Sequence, residues 1–352
     1  MHMKLKPPHY DPKTHYVRVS DSPYFRELTM LRHRVRIATD EYWSRKKHAY
    51  SIDLFMLTPS ISSPMGPSSD SEGVPIKFGK LRTYLVDSAQ FGLEPILMNG
   101  IDMAYCYLPS MRGEDPDARH LNQFYHCEAE ARCGVDKLMG YVEGYVKALA
   151  RAVRSYPGVF EKLAVKGDAT KEAIAAILKT KKFPRISFDE AVALLEKNGF
   201  GTLVGYTKHG RDIKAQGEIV LSRLLGYTVP FWIYGYDRDR VPFYQKPDPR
   251  NPEKVLNADL IFPPIFKGAF GGEIVGCGQR QDSRKEMLES IQRQGISADS
   301  YGWYMHLRDL PGYKPTSGFG LGIERFLTWI IGQKNIRDLI LYPRLKNIKT
   351  YP

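Results

Sequence analysis

Apolar residues recur at three- and four-residue spacing between positions 135 and 153, which predicts a long amphipathic helix. Its apolar face comprises Leu138, Val142, Val146, Leu149 and Val153. Two shorter helices are predicted where a serine stands three residues before a glutamate and a glycine closes the apolar run: Ser187 and Glu190 with Gly199, and Ser283 and Glu286 with Gly295.

Short apolar runs between the helices predict β-strands at 83–87, 104–108, 124–131, 229–234 and 272–276. Strands and helices are interspersed without regular βαβ units. Neither a strand-to-helix G-x-G-x-x-G fingerprint nor a G-x-x-x-x-G-K-[ST] loop is present, which argues against Rossmann and P-loop nucleotide sites. The pattern predicts an α+β fold around an antiparallel sheet. A Ser/Pro/Gly-rich stretch, 59–73, predicts a long loop of the kind that often covers a site.

Composition narrows the class of protein. The 352 residues are 43% hydrophobic and 26% charged, as expected of a globular protein with a sizeable core. No apolar run approaches the ~20 residues that cross a membrane, and residues 1–10 lack the apolar stretch of a signal peptide, so we expect a cytoplasmic protein without membrane contact. The net charge of +12 favours anionic partners, although a solvated basic surface would explain it equally well.

One polar segment, 112–130, has the pattern of a hairpin whose second strand carries chemistry. Because side chains alternate along a strand, Phe124, His126, Glu128 and Glu130 share one face. Two carboxylates on a buried face repel each other unless a cation, such as an ammonium group or Mg²⁺, lies between them. A surface hairpin with ion pairs is the alternative explanation.

Arginines mark both this segment and a second one. The guanidinium groups of Arg112 and Arg119 match phosphate oxygens, and Phe124 could stack on a base. Farther along, the alternate glycines of segment 318–322 permit close backbone approach, and Arg325 follows in the first turn of an apolar helix. An arginine at the positive end of a helix is expected where an anion binds between them.

Together the two segments resemble motifs 2 and 3 of class II aminoacyl-tRNA synthetases, and more narrowly those of the aspartyl/asparaginyl subgroup. Further stretches that resemble this subgroup follow in the same order along the chain: 87–94, 183–186, 243–247, 258–260 and 272–280. The resemblance runs from about Ser20 to the end. It implies a six-stranded antiparallel sheet flanked by helices, a catalytic domain at 21–352 after an extension at 1–20, an active-site loop at 59–73, and a homodimer.

The resemblance also implies site residues and cofactors. ATP and Mg²⁺ would bind, with catalytic Arg112 on the α-phosphate and catalytic Arg325 on the γ-phosphate. The residues implied for ATP are Arg112, Glu114, Arg119, His120, Phe124, Glu273 and Arg325. Those implied for Mg²⁺ are Asp259 and Glu273, and those implied for the amino acid are Glu72, Gln90, Glu94, Glu128, Arg280 and Gly320. An amino-acid carboxylate would attack the α-phosphorus and release pyrophosphate.

Two features divide the expectations about substrate and acceptor. Synthetases of this subgroup carry an N-terminal barrel for the anticodon, whereas only some twenty residues precede the resembling core here. The main expectation is therefore an asparagine synthetase-like ligase that adenylates aspartate, asparagine or an aspartate derivative and transfers the acyl group to ammonia or a small amine. The alternatives are an asparaginyl-tRNA ligase lacking the barrel, with tRNA possible but not favoured, and a non-catalytic paralogue.

The identity of the amino acid depends on two glutamates. Glu94 lies where aspartyl-type enzymes typically place a lysine, and Glu128 where they place an aspartate. Both choices are asparaginyl-type, because a glutamate repels a free β-carboxylate and accepts hydrogen bonds from an amide. Arg280 could bind the side-chain oxygen in either case. Alternatively, Glu94 is turned away or paired with a nearby base.

Overall fold

The computed structural model describes residues 4–62 and 72–352, so most of the predicted loop 59–73 lies outside the described residues. The strands of this part are β1 (Tyr50–Ser51), β2 (Leu57–Thr58), β3 (Pro75–Phe78), β4 (Leu81–Leu85), β5 (Met103–Met111), β6 (Gln123–Ala131), β7 (Arg185–Ser187), β8 (Val204–Thr207), β9 (Gly210–Ile213), β10 (Phe231–Tyr234), β11 (Pro247–Asp248), β12 (Asn251–Val255), β13 (Asn257–Phe262), β14 (Gly272–Gln279) and β15 (Ser317–Gly322). The α-helices are α1 (His15–Asp21), α2 (Pro23–Asp40), α3 (Gln90–Leu97), α4 (Val135–Arg154), α5 (Gly167–Lys179), α6 (Phe188–Lys197), α7 (Ala215–Leu224), α8 (Arg284–Arg293), α9 (Gly302–His306) and α10 (Ile323–Ile331). Two π-helical segments, Glu41–Lys46 and Val159–Leu163, follow α2 and α4, and 3₁₀ turns lie at Gly201–Leu203, Arg238–Arg240, Ala298–Tyr301, Leu307–Asp309 and Ile336–Leu339.

A mixed sheet of eight strands, in the order β1-β5-β6-β15-β14-β13-β10-β7, lies at the centre of the described chain. Its inner six strands run antiparallel to their neighbours, and the two edge strands, β1 and β7, pair in parallel. The fold is α+β as expected, but the sheet is neither six-stranded nor wholly antiparallel. The edge strands span two and three residues, which is too short for a recognisable hydrophobic run.

Helices α2, α4 and α10 cover one face of this sheet and form the main core with it. The predicted apolar face of α4 is confirmed, since all five of its residues are fully buried, and the helix ends within one residue of the prediction. Alternate residues of β6, Cys127 and Ala129, point into this core. The intervening residues, His126, Glu128 and Glu130, therefore lie on the opposite face of the sheet, where α4 does not cover them.

Local signals in the sequence locate several element ends. The predicted capping box of α6 is present: Ser187 Oγ accepts a hydrogen bond from Glu190 N at 3.2 Å, and Glu190 Oε2 accepts one from Ser187 N at 2.9 Å. At α8, Ser283 Oγ accepts a hydrogen bond from Glu286 N at 3.3 Å. The predicted strand 83–87 begins and ends two residues earlier, as β4.

Residues 4–20, predicted as an extension, pack against the rest of the chain. The backbone N–H of Leu5 donates to the carbonyl of Lys162 at 2.9 Å, and the buried His15 places its Nε2 2.7 Å from the carbonyl oxygen of Leu341. Helix α1 begins inside this segment. No helix in residues 4–62 or 72–352 combines the length and apolarity that crossing a membrane requires.

Candidate active site

Two adjoining cavities open on the face of the sheet that carries His126, Glu128 and Glu130. The first, here called the arginine cavity, has a volume of about 120 Å³ and is lined by Arg112, Glu114, Arg119, His120, Leu121, Phe124, His126, Glu273, Ile274, Gly322, Glu324, Arg325 and Ile336. The second, the inner cavity, has a volume of about 280 Å³ and includes Ser88, Gln90, Leu93, Glu128, Glu130, Tyr244, Asp259, Arg280, Gly318 and Gly320 in its wall. Both cavities share Arg112, His126 and Glu273, so they meet at that point.

Three arginines, Arg112, Arg119 and Arg325, line the arginine cavity, and one of its three glutamates, Glu324, is already paired with Arg32 at 2.7 Å. Arg325 reaches Glu273 Oε2 at 3.1 Å. Burial and the neighbouring charge of Arg325 lower the pKa of Arg119. The Nε of Arg112 is buried and has no hydrogen-bond partner among the described residues. Burial, and after it the charges of Arg112 and Arg325, hold the pKa of His126 well below its usual range. Such a cavity is suited to a polyanion.

An aromatic ring forms part of the same wall. The guanidinium carbon of Arg112 lies 5.4 Å from the ring centre of Phe124, whose edge packs against His126 with 4.7 Å between the ring centres. Phe124 follows Gln123, which opposes Met111 in the β5–β6 register, and this register confirms the predicted hairpin. A planar group entering the cavity could stack on Phe124 while its anionic end reaches the arginines.

The loop of this hairpin is held in shape by its own polar side chains. Asp117 Oδ1 accepts hydrogen bonds from the backbone N–H of Arg119 at 2.6 Å and of His120 at 2.8 Å. Asn122 Nδ2 donates to the carbonyls of Arg112 at 2.8 Å and of Glu114 at 2.7 Å. These contacts fix the backbone of the predicted ATP residues, and no local pattern in the sequence marks Asp117 or Asn122 for that role.

Three carboxylates lie near the junction of the cavities. An added Cβ at Gly276 would lie 3.3 Å from Asp259 Oδ1 and 3.7 Å from Glu273 Oε1, so both carboxylates approach the same glycine. Glu218, which is not among the residues predicted from the sequence, accepts a hydrogen bond from the backbone N–H of Glu273 at 2.8 Å. Helix α7 brings it there, and no local pattern marks it.

Burial and the neighbouring charges shift the pKa values of Asp259 and Glu273 in opposite directions. Burial, followed by the charge of Glu273, raises the pKa of Asp259 well above its usual range. Burial would also raise the pKa of Glu273, but Arg325, Arg119 and Arg112 outweigh it and lower that pKa. No group of three or more His, Cys, Asp or Glu side chains within the described ranges is arranged to hold a metal ion. A divalent cation at Asp259 and Glu273 would therefore need ligands from a bound nucleotide.

A buried ion pair forms the end wall of the inner cavity. Arg280 Nε lies 3.0 Å from Glu130 Oε1, and Arg280 Nη2 lies 2.9 Å from Glu130 Oε2. Thr316 Oγ1 donates to Glu130 Oε1 at 2.7 Å. Gly318 pairs with Glu130 across β15 and β6, and a Cβ there would overlap both members of the pair. This close approach explains one of the alternate glycines singled out in the sequence.

Glu128 forms a second polar wall, opposite Gly320. It accepts hydrogen bonds from the Ser88 hydroxyl and, at 2.6 Å, from the backbone N–H of Ala89. Burial nevertheless raises the pKa of Glu128 to about 7. Gln90 lines the same cavity at the start of α3. Ser88 is a further site residue that received no role from the sequence alone.

Two residues predicted to contact the amino acid lie outside the inner-cavity wall. Glu94 is fully buried behind it, where its Oε2 lies 2.8 Å from Arg308 Nη2 and its Oε1 accepts from the Tyr304 hydroxyl. The alternative expectation, a pairing of Glu94 with a nearby base, therefore describes the structure. Glu72 lies at the hairpin loop, where its carbonyl accepts from Gly113 N at 2.7 Å.

The whole arrangement matches a known family. The description of class II tRNA synthetases for aspartate, lysine and asparagine (D, K and N) fits residues 9–346. The chain belongs to this family. Among curated relatives, the asparagine–tRNA ligase of Thermococcus gammatolerans is 34% identical over 285 residues, which cover 79% of this chain and 60% of that protein. The asparagine–tRNA ligase of Streptococcus thermophilus is 34% identical over 267 residues, covering 74% and 56% respectively.

Solved structures of the family have the same fold. Asparaginyl-tRNA synthetase from Pyrococcus horikoshii, complexed with asparaginyl-adenylate, superposes with a TM-score of 0.80 at 27% identity over 97% of this chain and 73% of that one. The corresponding enzyme from Entamoeba histolytica, at 22% identity and a TM-score of 0.78, shares the fold. This class II synthetase chain spans about 60% of the length of its first curated relatives.

Proposed function

We propose that this class II synthetase homologue is an ATP-dependent, AMP-forming ligase that activates the α-carboxylate of asparagine and transfers the asparaginyl group to tRNA. The observation that carries the proposal is the shared wall of the two cavities. A polyanion in the arginine cavity and an amino acid in the inner cavity would meet at Arg112. That residue could then neutralise the charge that develops on the α-phosphate during attack.

The ATP end of the proposal assigns each group a task. Phe124 stacks on the adenine ring, and Arg112 binds the α-phosphate. Arg119, His120 and Arg325 bind the outer phosphates, while Glu114 supports the hairpin loop. The asparagine carboxylate attacks the α-phosphorus in line, forming a bond to oxygen as the bond to pyrophosphate breaks. The protein contributes positioning and charge neutralisation and forms no covalent intermediate of its own.

Mg²⁺ fits this site as a partner of the nucleotide. Asp259 and Glu273 would hold it, because both carboxylates approach Gly276 at the junction of the cavities, where a side chain would lie within 3.7 Å of each. Carboxylate oxygens are hard ligands suited to Mg²⁺, and phosphate oxygens can complete the coordination. When bound, the cation would neutralise charge on the phosphates and on the departing pyrophosphate.

The amino-acid end favours an uncharged side chain. Arg280 already has its charge balanced by Glu130 at 2.9 Å, so a free side-chain carboxylate would find no unpaired cation there. An amide, in contrast, could accept and donate hydrogen bonds without adding charge. Glu128 would receive the substrate ammonium group. These arguments favour asparagine over aspartate.

The acceptor is assigned with the help of the relatives. The curated relatives described above are named asparagine–tRNA ligases, and the P. horikoshii structure contains asparaginyl-adenylate. These names support the alternative expectation from the sequence, tRNA transfer, over the asparagine synthetase-like one, and no comparison supports ammonia as acceptor. The net charge of +12 is compatible with tRNA binding.

Asparagine- and aspartate-dependent exchange between ATP and pyrophosphate tests the activation step. We expect exchange with asparagine, and aspartate as the sole active substrate would refute the assignment. Aminoacylation of bulk tRNA, compared with trapping by ammonia and by hydroxylamine, then tests the acceptor. Efficient asparaginyl-tRNA formation is expected, whereas ammonia transfer without any tRNA product would favour the amide ligase.

A homodimer is part of the same proposal. Helix α2 exposes Met30 and Ile37, and it forms with α4 a basic, partly apolar groove that also includes Arg34 and Arg151. Covering such apolar side chains with a second copy would be favourable. Sedimentation equilibrium is expected to give twice the chain mass, and a monomer at micromolar concentration would contradict this.

A further inference from the structure

Four buried charges stand in two pairs, one in the end wall of the inner cavity and one behind it. Glu130 pairs with Arg280, and Glu94 pairs with Arg308, with 2.9 Å and 2.8 Å between their closest charged atoms. All four residues are at most 9% exposed. The two pairs also act on each other. Burial would lower the pKa of Arg280, but the charge of Glu130 and, after it, that of Glu94 outweigh burial and raise it. We call these four residues the buried charge set.

Arg308 is the residue of this set that joins two walls of the cavity. Besides Glu94, its guanidinium donates to the carbonyl of Gln281 at 2.9 Å and to the carbonyl of Tyr304 at 3.1 Å. Tyr313 donates to the same Gln281 carbonyl at 3.0 Å. Since Gln281 directly follows Arg280, this contact of Arg308 fixes the backbone next to Arg280, whose side chain faces the inner cavity. It also holds α3, which carries Gln90.

We propose that Arg308 is a positioning residue that sets the specificity for the substrate side chain. Because Arg308 neutralises Glu94, the subsite beside Arg280 has no net charge and suits an amide side chain. This inference rests on the proposed activation of an amino acid in the inner cavity. Arg308 itself does not line that cavity and acts through Glu94 and Gln281. Nothing in the proposed chemistry of ATP requires it.

The proposal predicts the direction in which each substitution changes the preference for asparagine over aspartate, because aspartate carries one more negative charge than asparagine. Replacing Glu94 by Gln leaves Arg308 uncompensated, so the subsite gains positive charge and aspartate should be accepted better. Replacing Arg308 by Gln leaves Glu94 uncompensated, so aspartate should be rejected more strongly. Removing both charges restores neutrality. A residue needed only for folding would not move the preference in opposite directions.

The test measures kcat/KM for asparagine and for aspartate in ATP–pyrophosphate exchange. The ratio of asparagine to aspartate should fall about tenfold in Glu94→Gln, rise in Arg308→Gln, and return to within threefold of the parent protein in the double variant. The KM for ATP should stay within threefold throughout. A shift of the ratio in the same direction in both single variants, or no shift in Glu94→Gln, would overturn the proposal.

Two further variants guard against misfolding. Arg308→Lys keeps the positive charge and should preserve the ratio even if its stability falls, and a tenfold change of its ratio would contradict the charge argument. Glu27→Gln is the matched control, since Glu27 is also buried but pairs with Lys162 in another part of the fold. Its ratio should equal that of the parent protein.

Failure of the proposed function would be visible separately. If the parent protein supports exchange with neither amino acid, the proposed activation is refuted. Calorimetric titration of the parent protein and the variants then measures the affinities for asparagine and aspartate, and their ratio replaces the ratio of kcat/KM values. Opposite shifts of that affinity ratio would still support the role of Arg308. Absence of binding of both amino acids to the parent protein would overturn this inference as well.

Discussion

The arginine cavity and the inner cavity share a wall, yet their charged side chains are neutralised very differently. In the arginine cavity, burial and then the charge of Arg325 lower the pKa of Arg119, and Arg112 Nε has no hydrogen-bond partner among the described residues. At the end wall of the inner cavity, Arg280 already has a carboxylate at 2.9 Å, and Arg308, behind that wall, has one at 2.8 Å. The arginine cavity therefore favours an anion, whereas the subsite beside Arg280 already has its charge balanced by Glu130.

This difference indicates how one site can bind two chemically different substrates. Three neighbouring arginines attract a triphosphate, which would neutralise their charge on binding. Ion pairs that already neutralise each other do not attract a further charge, and a charged side chain would be buried beside Arg280 without a partner. That subsite therefore selects its substrate by hydrogen bonding and shape. Substitutions in the two cavities should therefore fail in distinguishable ways.

The largest effect is expected from Arg112→Ala, which removes the guanidinium at the shared wall. Asparagine-dependent ATP–pyrophosphate exchange should fall by about 100- to 1000-fold, because charge developing on the α-phosphate loses its nearest cation. Arg250→Ala is the control, since its side chain is 87% exposed and pairs with the nearby Asp248. Exchange within tenfold of the parent protein in Arg112→Ala would refute the site assignment.

A smaller but more selective loss is expected from Gly318→Ala. The added methyl group would overlap both Glu130 and Arg280, so the ion pair must separate, and exchange should fall about 100-fold with some loss of stability. Gly320→Ala meets Glu128 only at 3.5 Å, an ordinary contact. It should therefore fold normally, and a raised KM for asparagine would then indicate that the substrate approaches Gly320 closely.

Gly140→Ala serves as the control for both glycine variants, because a Cβ there meets nothing within 4 Å. Nucleotide affinity separates the outcomes further. The Gly318→Ala variant should retain ATP binding in equilibrium dialysis, since the arginine cavity is untouched. Equal losses of ATP and asparagine affinity would show that the two cavities are not independent.

A tenfold effect is expected from pH, through Glu128. Burial raises its pKa to about 7 from an ordinary 4.5, so the folded protein holds this proton more tightly than the unfolded chain does. The contribution of Glu128 to the free energy of unfolding therefore falls as pH rises from about 4.5 to 7. Binding of an ammonium group needs the ionised form, so asparagine affinity should rise over that same window.

The measurement is the KM for asparagine between roughly pH 6 and pH 8, which should fall about tenfold as Glu128 ionises. Glu128→Gln should flatten this profile and raise the KM at the upper end. An unchanged pH profile in that variant would assign the titration to another group and remove the argument that Glu128 receives the ammonium.

Some of this site follows from local patterns in the sequence. Strand alternation groups Phe124, His126 and Glu128 on one face, because the period of a strand is fixed by its backbone. The alternate glycines before α10 predict a close approach, and Gly318 makes one against Glu130 and Arg280. These inferences succeed because each depends on residues within one element or hairpin.

Other parts could not be predicted, because they depend on residues far apart in the chain. Glu94 was expected to contact the substrate, but in the folded protein Arg308, 214 positions later, pairs with it and neutralises its charge. Glu218 reaches Glu273 across 55 positions from a helix without any distinguishing pattern. The two short parallel edge strands likewise form only because longer neighbours are already in place.

The smallest effect is expected outside both cavities, from Ser187→Ala. This change removes the cap of α6, where Ser187 Oγ accepts from Glu190 N at 3.2 Å, and it should lower the free energy of unfolding by about 1 kcal/mol. Denaturant unfolding measures that loss, and Ser187→Thr, which keeps the hydroxyl, is the matched control. Both KM values should stay unchanged, because α6 packs in a separate apolar cluster with Val204 and Val220. If the KM for asparagine rose nevertheless, stability alone could explain the losses at Gly318, and the contrast between the two cavities would have to be drawn from Arg112 and Glu128.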